Sequence, residues 1–325
     1  MVKYIIKRLL ISILILLGVS VVIYGLVRAM PTDFVDKTFA NIPNMTEERL
    51  EELKTLYGLN LNLVDGYIKW VGDLLKGDLG VSFKYQQPVA EVIKDKMWIS
   101  FCISFAALVL ELLVAIPLGV MAATKQYSKS DYAVSTFALV GISLPGFFFA
   151  GLLRKVFCSE LNLLPFNGLV SSRLLPNADM WTRLTDMGLH LILPITVLVI
   201  TGMGSYMRFV RTNMLEVLNS DFVRTARAKG LQEKKVIYKH AFRNTLIPIV
   251  TLLGGTLPTL FAGAMITESV FGIPGLGGTA FEALSGSDIP FFMGFNMFLA
   301  VLTLAGNLLA DILYAVVDPR IRVNK

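Results

Sequence analysis

Charged residues are scarce in this sequence: 17% of its 325 residues are Asp, Glu, Lys or Arg, whereas 54% are hydrophobic. Because an ordinary soluble domain carries about 25% charged residues, this composition excludes that class. Cysteine and histidine are also rare, with two of each. A disulfide framework or a metal site needs more ligands than Cys102 and Cys158 supply. We therefore expect both cysteines to be packing residues and the chain to hold no metal.

The few charges leave long stretches of sequence without any. Five stretches contain no charged residue, and a sixth is interrupted only by Glu111. A helix needs roughly 20 apolar residues to cross the hydrocarbon core of a bilayer, and all six stretches approach or exceed that length. The sequence therefore predicts an all-α polytopic membrane bundle. Its six transmembrane helices are expected at residues 9–27, 97–124, 132–153, 188–207, 244–267 and 289–310.

The N-terminus has some features of a signal peptide, namely a basic start and a loose cleavage signal at Val27-Arg28-Ala29. Its apolar run of 19 residues exceeds the usual 7–15, however, and further spans follow. We interpret it as a retained span. The predicted organisation is then an N-terminal end with the first transmembrane helix (1–28), an external helical segment (29–96) and a membrane core of five helices (97–325).

Basic residues lie mainly in the segments that six spans place on one side of the membrane. Short loops rich in Lys and Arg stay in the cytoplasm, so we predict that both termini are cytoplasmic. Residues 29–96 hold eight Lys/Arg and eleven Asp/Glu, but loops of this length cross regardless of charge. No aromatic interleaving accompanies the basic cluster at 208–243, so we expect no nucleic-acid partner. Its cations are Arg208, Arg211, Arg224, Arg227, Lys229, Lys234, Lys235, Lys239 and Arg243.

The external segment contains two patterns that predict short amphipathic helices. Acids at Glu47 and Glu48 favour the start of the first, and the second ends at Gly77. Two interpretations stay open: these helices cap the outer mouth of the bundle or receive a partner, or they cover apolar surface near the membrane. Their apolar residues are Leu50, Leu53 and Tyr57, followed by Gly58, and then Tyr67, Ile68, Val71, Leu74 and Leu75.

Residues that bend helices recur in the predicted core. Proline and paired glycines break or kink a transmembrane helix, and neighbouring helices then satisfy the freed backbone groups. Such bends serve as hinges in some transporters and as packing features in others, so no single one is identified as a gate. The positions are Pro117, Pro145, Pro194, Pro248, Pro258 and the Gly254-Gly255 pair.

The segment between the fourth and fifth spans, 208–243, is the most informative part of the sequence. Ser220 or Asp221 can cap a short helix, and Gly230 can end it in the left-handed conformation. The rod from Phe222 to Lys229 would be roughly 12 Å long. Its small and cationic residues suit docking into a groove on another protein. The alternative interpretation, a solvated basic loop that contacts anionic lipid, stays open. The small residues are Thr225, Ala226 and Ala228, and the cations are Arg224, Arg227 and Lys229.

This segment resembles the coupling loop of ATP-binding-cassette (ABC) importer permeases, specifically the dipeptide/oligopeptide/nickel branch. The broader family opens its motif with an acidic residue and two alanines before a glycine, so only Ala226 and Gly230 match the general form. The departure at Arg224-Thr225 is typical of the peptide branch. The resemblance rests on Asp221, Phe222, Val223, Arg224, Thr225, Ala226, Arg227, Ala228, Lys229, Gly230 and Leu231, followed by His240, Arg243-Asn244 and Pro248.

Three other regions are similar to the same branch, so the resemblance covers nearly the whole chain. Residues 77–82 with Pro88-Val89 resemble its first external domain, 271–277 its Pro-Gly-Leu-Gly turn, and Asp318-Pro319-Arg320 its C-terminal ending. The order of these regions, with a long segment after the first span, is that of the branch's first permease subunit.

The resemblance implies a type I ABC importer permease in a bacterial or archaeal cytoplasmic membrane. Its implied partners are a second homologous permease, two cytoplasmic ATPases that bind ATP-Mg, and an extracytoplasmic substrate-binding protein. This chain would form half of a pathway for di- or oligopeptides, and residues 221–231 would couple it to the ATPases. Nickel chelates and oligosaccharides are carried by relatives and stay open as cargo.

Enzymatic and secondary-transport functions find little support in the sequence. The turn at 271–277 is followed by no Lys-Ser/Thr pair and is predicted to lie outside, so it is not a phosphate-binding loop. A membrane-embedded hydrolase needs a nucleophile beside a base, and neither His190 nor His240 has such a companion by motif. A secondary transporter would show internal repeats with paired intramembrane charges, and we find no convincing repeat.

Two acidic residues lie inside predicted spans. A charge within the bilayer costs on the order of 2.5–3.5 kcal/mol, so such residues face the bundle or a wet cavity. Glu111 lies near the middle of the second predicted span, where it is a candidate for lining the pathway; protonation or pairing with the second permease are the alternatives. Asp311 lies toward the inner end of the sixth span, where we expect it to pair with a basic group.

Overall fold

The computed structural model describes residues 2–29, 34–39, 46–56, 59–172, 174–175 and 178–317. Regular secondary structure in these residues is helical, apart from one isolated bridge between Val81 and Pro88. The prediction of an all-α fold is therefore confirmed. Asp318-Pro319-Arg320, Tyr57 and Gly58 lie outside the described residues.

Four long helices are apolar enough to cross a membrane. Each contains one of the predicted spans, but each extends past it because charged residues at a helix end do not stop the helix. The helix of the second span, for example, begins within the expected external segment, and that of the fourth continues into the expected cytoplasmic loop. The four are α1 (Val2–Arg28), α5 (Val89–Thr124), α8 (Met180–Leu218) and α15 (Ile289–Val317).

The third predicted span is bent rather than straight. Helices α6 (Lys129–Ser143) and α7 (Gly146–Arg154) meet at an angle of 93°. Pro145 is the N-cap of α7, and a proline there lacks the backbone N–H that would continue α6. A π-helical turn, Lys155–Glu160, extends α7.

The fifth predicted span is also broken. It is divided into α11 (Arg243–Gly254), α12 (Leu257–Ala262) and α13 (Met265–Phe271), and the part from 252 to 271 makes an angle of 71° with α14 (Leu276–Ser285). Gly263 and Gly272 stand at the breaks with φ of +73° and +61°, a region that favours glycine. The prediction of six spans holds if each bent pair counts as one span.

The centre of the bundle is the pairing of α5 with α8, to which α6 adds a third helix. Gly119 allows the closest approach: a Cβ atom there would lie 2.8 Å from both the Met207 carbonyl oxygen and Val210 Cβ. Small residues at helix contacts are how membrane helices gain packing energy, since lipid is as apolar as their side chains. Cys158 is buried, as expected of a packing residue, whereas Cys102 is exposed on this chain.

The external segment contains α2 (Phe34–Phe39), α3 (Glu47–Leu56) and α4 (Leu63–Leu75). A turn that follows α4 is fixed to the start of α15 by the buried carboxylate of Asp288. This carboxylate accepts hydrogen bonds from the Ser82 hydroxyl at 2.5 Å and from the backbone N–H groups of Phe83 and Lys84 at 3.1 Å each. At least this part of the segment is therefore folded onto the bundle.

Candidate functional site

The short helix predicted after the fourth span is present as α9 (Asp221–Ala228). Ser220 is its N-cap by backbone conformation, but its hydroxyl donates to the Val217 carbonyl at 2.6 Å and does not cap the helix. Gly230 follows the helix with φ of +74°. The helix and its left-handed glycine are therefore confirmed.

The inner face of α9 is part of the bundle's own core. Val223 and Ala226 are buried, with 0% and 6% exposure, in a cluster to which three membrane-crossing segments contribute. The expectation that Ala226 allows a partner to approach is thus wrong, because its methyl group packs within this chain. The other members of the cluster are Val120, Ala123, Val210, Met214, Val236, Ala241 and Ile249.

The outer face of α9 is open to solvent. Phe222 is 46% exposed despite its apolar ring, and Leu231 beyond the helix is half-buried. An exposed aromatic side chain among cations is typical of a protein contact surface, where aromatic residues and arginine are enriched. The exposed residues of the segment are Asp221, Phe222, Arg224, Thr225, Arg227, Ala228, Lys229 and Gly230.

Arg227 is already paired within the chain. Its guanidinium donates to both carboxylate oxygens of Glu233, at 2.7 Å and 3.2 Å. These hydrogen bonds lower the pKa of Glu233 and raise that of Arg227. Arg224 also has an acidic neighbour within the chain, since its Nη1 lies 3.6 Å from Asp221 Oδ1. Arg227 and Arg224 are both exposed, so their role as cations for a partner stays a prediction.

The segment 208–243 is shorter as a loop than predicted, because α8 continues to Leu218. Arg211 therefore lies on a helix, where its Nε and Nη2 atoms donate to the two oxygens of Asp131 at 2.9 Å each. Asp131 is buried and lies in the first turn of α6. This ion pair was missed from the sequence. A usable signal was that Asp131 lies at the edge of an uncharged run, on the side of the membrane where the basic segment 208–243 is expected.

Glu111 lines a cavity of about 240 Å³ between α5, α8 and α12. Gly202 makes room for its side chain, since a Cβ atom there would lie 2.5 Å from Glu111 Oε1. The wall is mixed in character, with hydroxyl groups beside apolar side chains. Other lining residues are Ser104, Leu108, Leu198, Tyr206, Thr256 and Thr259.

A second acidic residue, Glu268, organises the broken fifth span and was missed from the sequence. It is 1% exposed and accepts hydrogen bonds from the Ser100 hydroxyl at 2.7 Å and the Gly278 N–H at 2.8 Å. The Ala264 N–H adds a third at 3.2 Å. Glu268 thereby joins α5, α13 and the start of α14. Its position, directly after an uncharged run and before a glycine-rich turn, was the available signal.

Asp311 forms the ion pair expected of it. Its Oδ2 lies 2.8 Å from Nη2 of Arg8, near the N-terminal end of α1. The pair links the first and last long helices at one end of the bundle. That end carries the basic start of α1, which agrees with the predicted position near the inner surface.

Two family models match the sequence. The model described as "Binding-protein-dependent transport system inner membrane component" matches residues 115–323. The model of the N-terminal part of such membrane components matches residues 1–104.

Curated relatives match along their full length. The sequence is 37% identical to the oligopeptide transport system permease protein AppB of Bacillus subtilis over 322 residues, which cover 99% of each chain. It is 34% identical to the dipeptide transport system permease protein DppB of Escherichia coli K12, with 100% of each chain covered. In fold, it is similar to a chain of the inward-facing MetNI methionine ABC transporter, with a TM-score of 0.52 and 14% identity, covering 70% of this chain and 97% of that one.

Proposed function

The chain belongs to the family of binding-protein-dependent transport system inner membrane components, and we propose that its transport cargo is di- or oligopeptides. It is a multi-pass permease of the cytoplasmic membrane and a non-catalytic subunit, so nucleotide is bound by its ATPase partners. The proposal for the cargo is supported by the names of full-length relatives at 33–37% identity, which are oligopeptide and dipeptide permeases.

The complex that we propose consists of two permeases, two ATPases and one binding protein. This chain pairs with a second homologous permease, and each of two cytoplasmic ATPases docks on one permease. An extracytoplasmic binding protein delivers the peptide. Both termini lie in the cytoplasm in this arrangement, which is supported by Lys and Arg in the N-terminal region and between α8 and α11.

Each part of the chain has its own role in this complex. We propose that residues 1–28 anchor the chain, 29–96 form the external segment and 97–325 form the transport core. The coupling region is the part of 208–243 that follows α8. Glu111, through its position in the cavity wall, is proposed to line the peptide pathway.

The observation that carries the coupling proposal is that α9 is buried on one face and exposed on the other. Its outer face presents Phe222, Arg224 and Lys229 to the solvent, while its inner face is locked into a core shared with α5, α8 and α11. A densely packed interior transmits displacement because it cannot deform continuously. A movement of the ATPase against the outer face is thereby passed to the membrane-crossing helices.

The test uses Gly230, which lies beside the outer face and leaves open space where a Cβ atom would be. We expect Gly230→Asp in the reconstituted complex to abolish ATP-driven peptide uptake while membrane insertion is unchanged. The new carboxylate would repel the acidic groups of the ATPase that we propose Arg224 and Lys229 contact. The matched control is Gly230→Asn, which tolerates the same left-handed backbone without a charge and should retain uptake. Equal uptake by wild type and both variants would disprove the coupling role.

A further inference from the structure

Helix α4 of the external segment has apolar side chains on two different faces. One face packs on α1: the rings of Tyr67 and Trp70 lie 5.5 Å and 5.9 Å from that of Tyr24. Gly66 is buried against the Tyr24 hydroxyl, with no room for a side chain. This face accounts for only part of the helix's apolar surface.

The second apolar face points away from the protein. Val64, Ile68 and Leu75 are 67%, 63% and 83% exposed, and their spacing of four and seven residues puts them on one side of the helix. A third side carries the exposed charges of Asp65 and Lys69. One buried, one apolar and one charged side together suit a helix at the junction of protein, lipid and water.

The contacts of α4 with α1 define how deep α4 lies in the membrane relative to the first span. The hydroxyl groups of Tyr67 and Ser20 lie 2.9 Å apart, and Ser20 precedes the end of α1 at Arg28 by about 12 Å of helix rise. Arg28 itself donates to the carbonyl oxygens of Leu59 at 2.9 Å and of Leu61, just before α4 begins. The middle of α4 therefore lies alongside the first span instead of beyond its end.

Two further features identify lipid as the neighbour of the exposed face. Tyr24, Tyr67 and Trp70 form an aromatic group of the kind that lies at the membrane–water interface. The helix on which α4 packs also carries exposed apolar side chains near the contact, since Leu17 and Val21, close to Ser20 in the sequence, are 48% and 56% exposed. On a helix that crosses the bilayer, such residues face acyl chains.

We propose that α4 is an interfacial helix embedded in the leaflet at the C-terminal end of α1, with Val64, Ile68 and Leu75 in contact with lipid acyl chains. Part of the external segment is then a membrane-bound element that widens the bundle beside the first span. Asp65 and Lys69 face the headgroups and water. This arrangement does not depend on the cargo or on the coupling role of α9.

The experiment places a nitroxide spin label at single cysteines in the assembled transporter in phospholipid nanodiscs. The background carries Cys102→Ser and Cys158→Ala. The test positions are Val64→Cys, Ile68→Cys and Leu75→Cys, and the matched controls on the same helix are Asp65→Cys and Lys69→Cys. Power-saturation EPR then compares collisions with oxygen, which concentrates in lipid, and with the water-soluble chelate nickel-EDDA.

We expect the ratio of oxygen to nickel collisions to be several-fold higher at the three test positions than at the two controls. Nickel collisions as frequent at position 68 as at position 69 would overturn the proposal, because the face would then be in water. Low access of both reagents to positions 64, 68 and 75 would also overturn it, because protein would then cover the face.

Discussion

The guanidinium group of Arg227 donates two hydrogen bonds to the carboxylate of Glu233, six residues along the chain, at 2.7 Å and 3.2 Å. This pair joins the end of α9 to the helical turn α10 (Glu233–Lys235) that precedes α11. It is half-exposed, with 43% and 56% of the two side chains accessible. The contact therefore steadies the orientation of α9 more than it stabilises the fold.

The pH dependence of this contact follows from the pKa of Glu233, which Arg227 lowers. Its contribution is complete above the unfolded glutamate pKa of about 4.3 and is lost as the pH falls through the lowered value. Because the pair is solvent-screened, we expect Glu233→Gln to cost less than about 1 kcal/mol at pH 7.

Hydrogen exchange of residues 221–235 measures this effect. Exchange should be faster in Glu233→Gln than in wild type at pH 7, and the difference should shrink in acid. Glu216→Gln, at an exposed position of α8, is the control and should leave exchange unchanged. A difference that grows as the pH falls would contradict the assignment.

The pair of Asp131 and Arg211 is expected to matter more for stability, since Asp131 is buried and both of its oxygens accept from the guanidinium. Removing one partner of a buried ion pair costs about 3–5 kcal/mol, so Asp131→Ala should sharply lower the apparent melting temperature of the detergent-solubilised complex. The double variant with Arg211→Ala should lose less than the sum of the single losses. Additive losses would show that the two residues act independently.

The close packing around Glu268 makes Gly275 intolerant of a side chain. A Cβ atom there would lie 2.6 Å from Ser100 Oγ and 2.7 Å from Glu268 Cδ, and overpacking of this kind costs about 1–3 kcal/mol. We expect Gly275→Ala to lower the apparent melting temperature of the complex. Gly286→Ala is the matched control, because its nearest neighbour would be 3.3 Å away. Equal melting temperatures for the two variants would contradict this account of the turn.

The sequence predicted the fold class, the positions of the spans and α9, because long apolar runs and a helix-ending glycine are local signals. It places Pro145 and the Gly254-Gly255 pair among the residues that bend helices, but it did not predict which of these positions bend a span or by how much. A run such as 132–153 is apolar on both sides of Pro145, so hydropathy alone gives no sign of a 93° turn. Proline is also tolerated inside a continuous helix, as Pro194 in α8 shows.

The sequence predicted where α9 lies in the chain, but it did not predict which of its residues contact the rest of the chain. The apolar or cationic character of a residue does not reveal which face of a helix is buried, so Ala226 and Arg227 were assigned to a partner although both interact within the chain. The roles of Asp131 and Glu268 depend on contacts with residues 80 and 168 positions away. The position of each acid beside an uncharged run marks it as notable, but a single sequence does not reveal which distant residue it contacts.

The cavity beside Glu111 leads to a prediction about the cargo. If its carboxylate meets the positive amino terminus of a peptide, Glu111→Gln removes a charge-assisted hydrogen bond of about 1.5–3 kcal/mol, so uptake of peptides with a free amino terminus should fall about tenfold or more. Uptake by Glu91→Gln, at an exposed position of α5, should be unchanged. Unaltered uptake by Glu111→Gln would remove this residue from the pathway.

The central claim is that α9 faces the cytoplasm and is covered there by an ATPase. It is tested by labelling Ala228→Cys with a membrane-impermeant maleimide, in a chain that carries Cys102→Ser and Cys158→Ala. Lys76→Cys, an exposed position of the external segment (78% accessible), reports the opposite side of the membrane.

We expect the cysteine at 228 to react only in inside-out vesicles and to be protected when the ATPases are assembled, whereas the cysteine at 76 reacts only in right-side-out vesicles. Reaction at 228 in right-side-out vesicles, or equal reaction with and without the ATPases, would contradict the account.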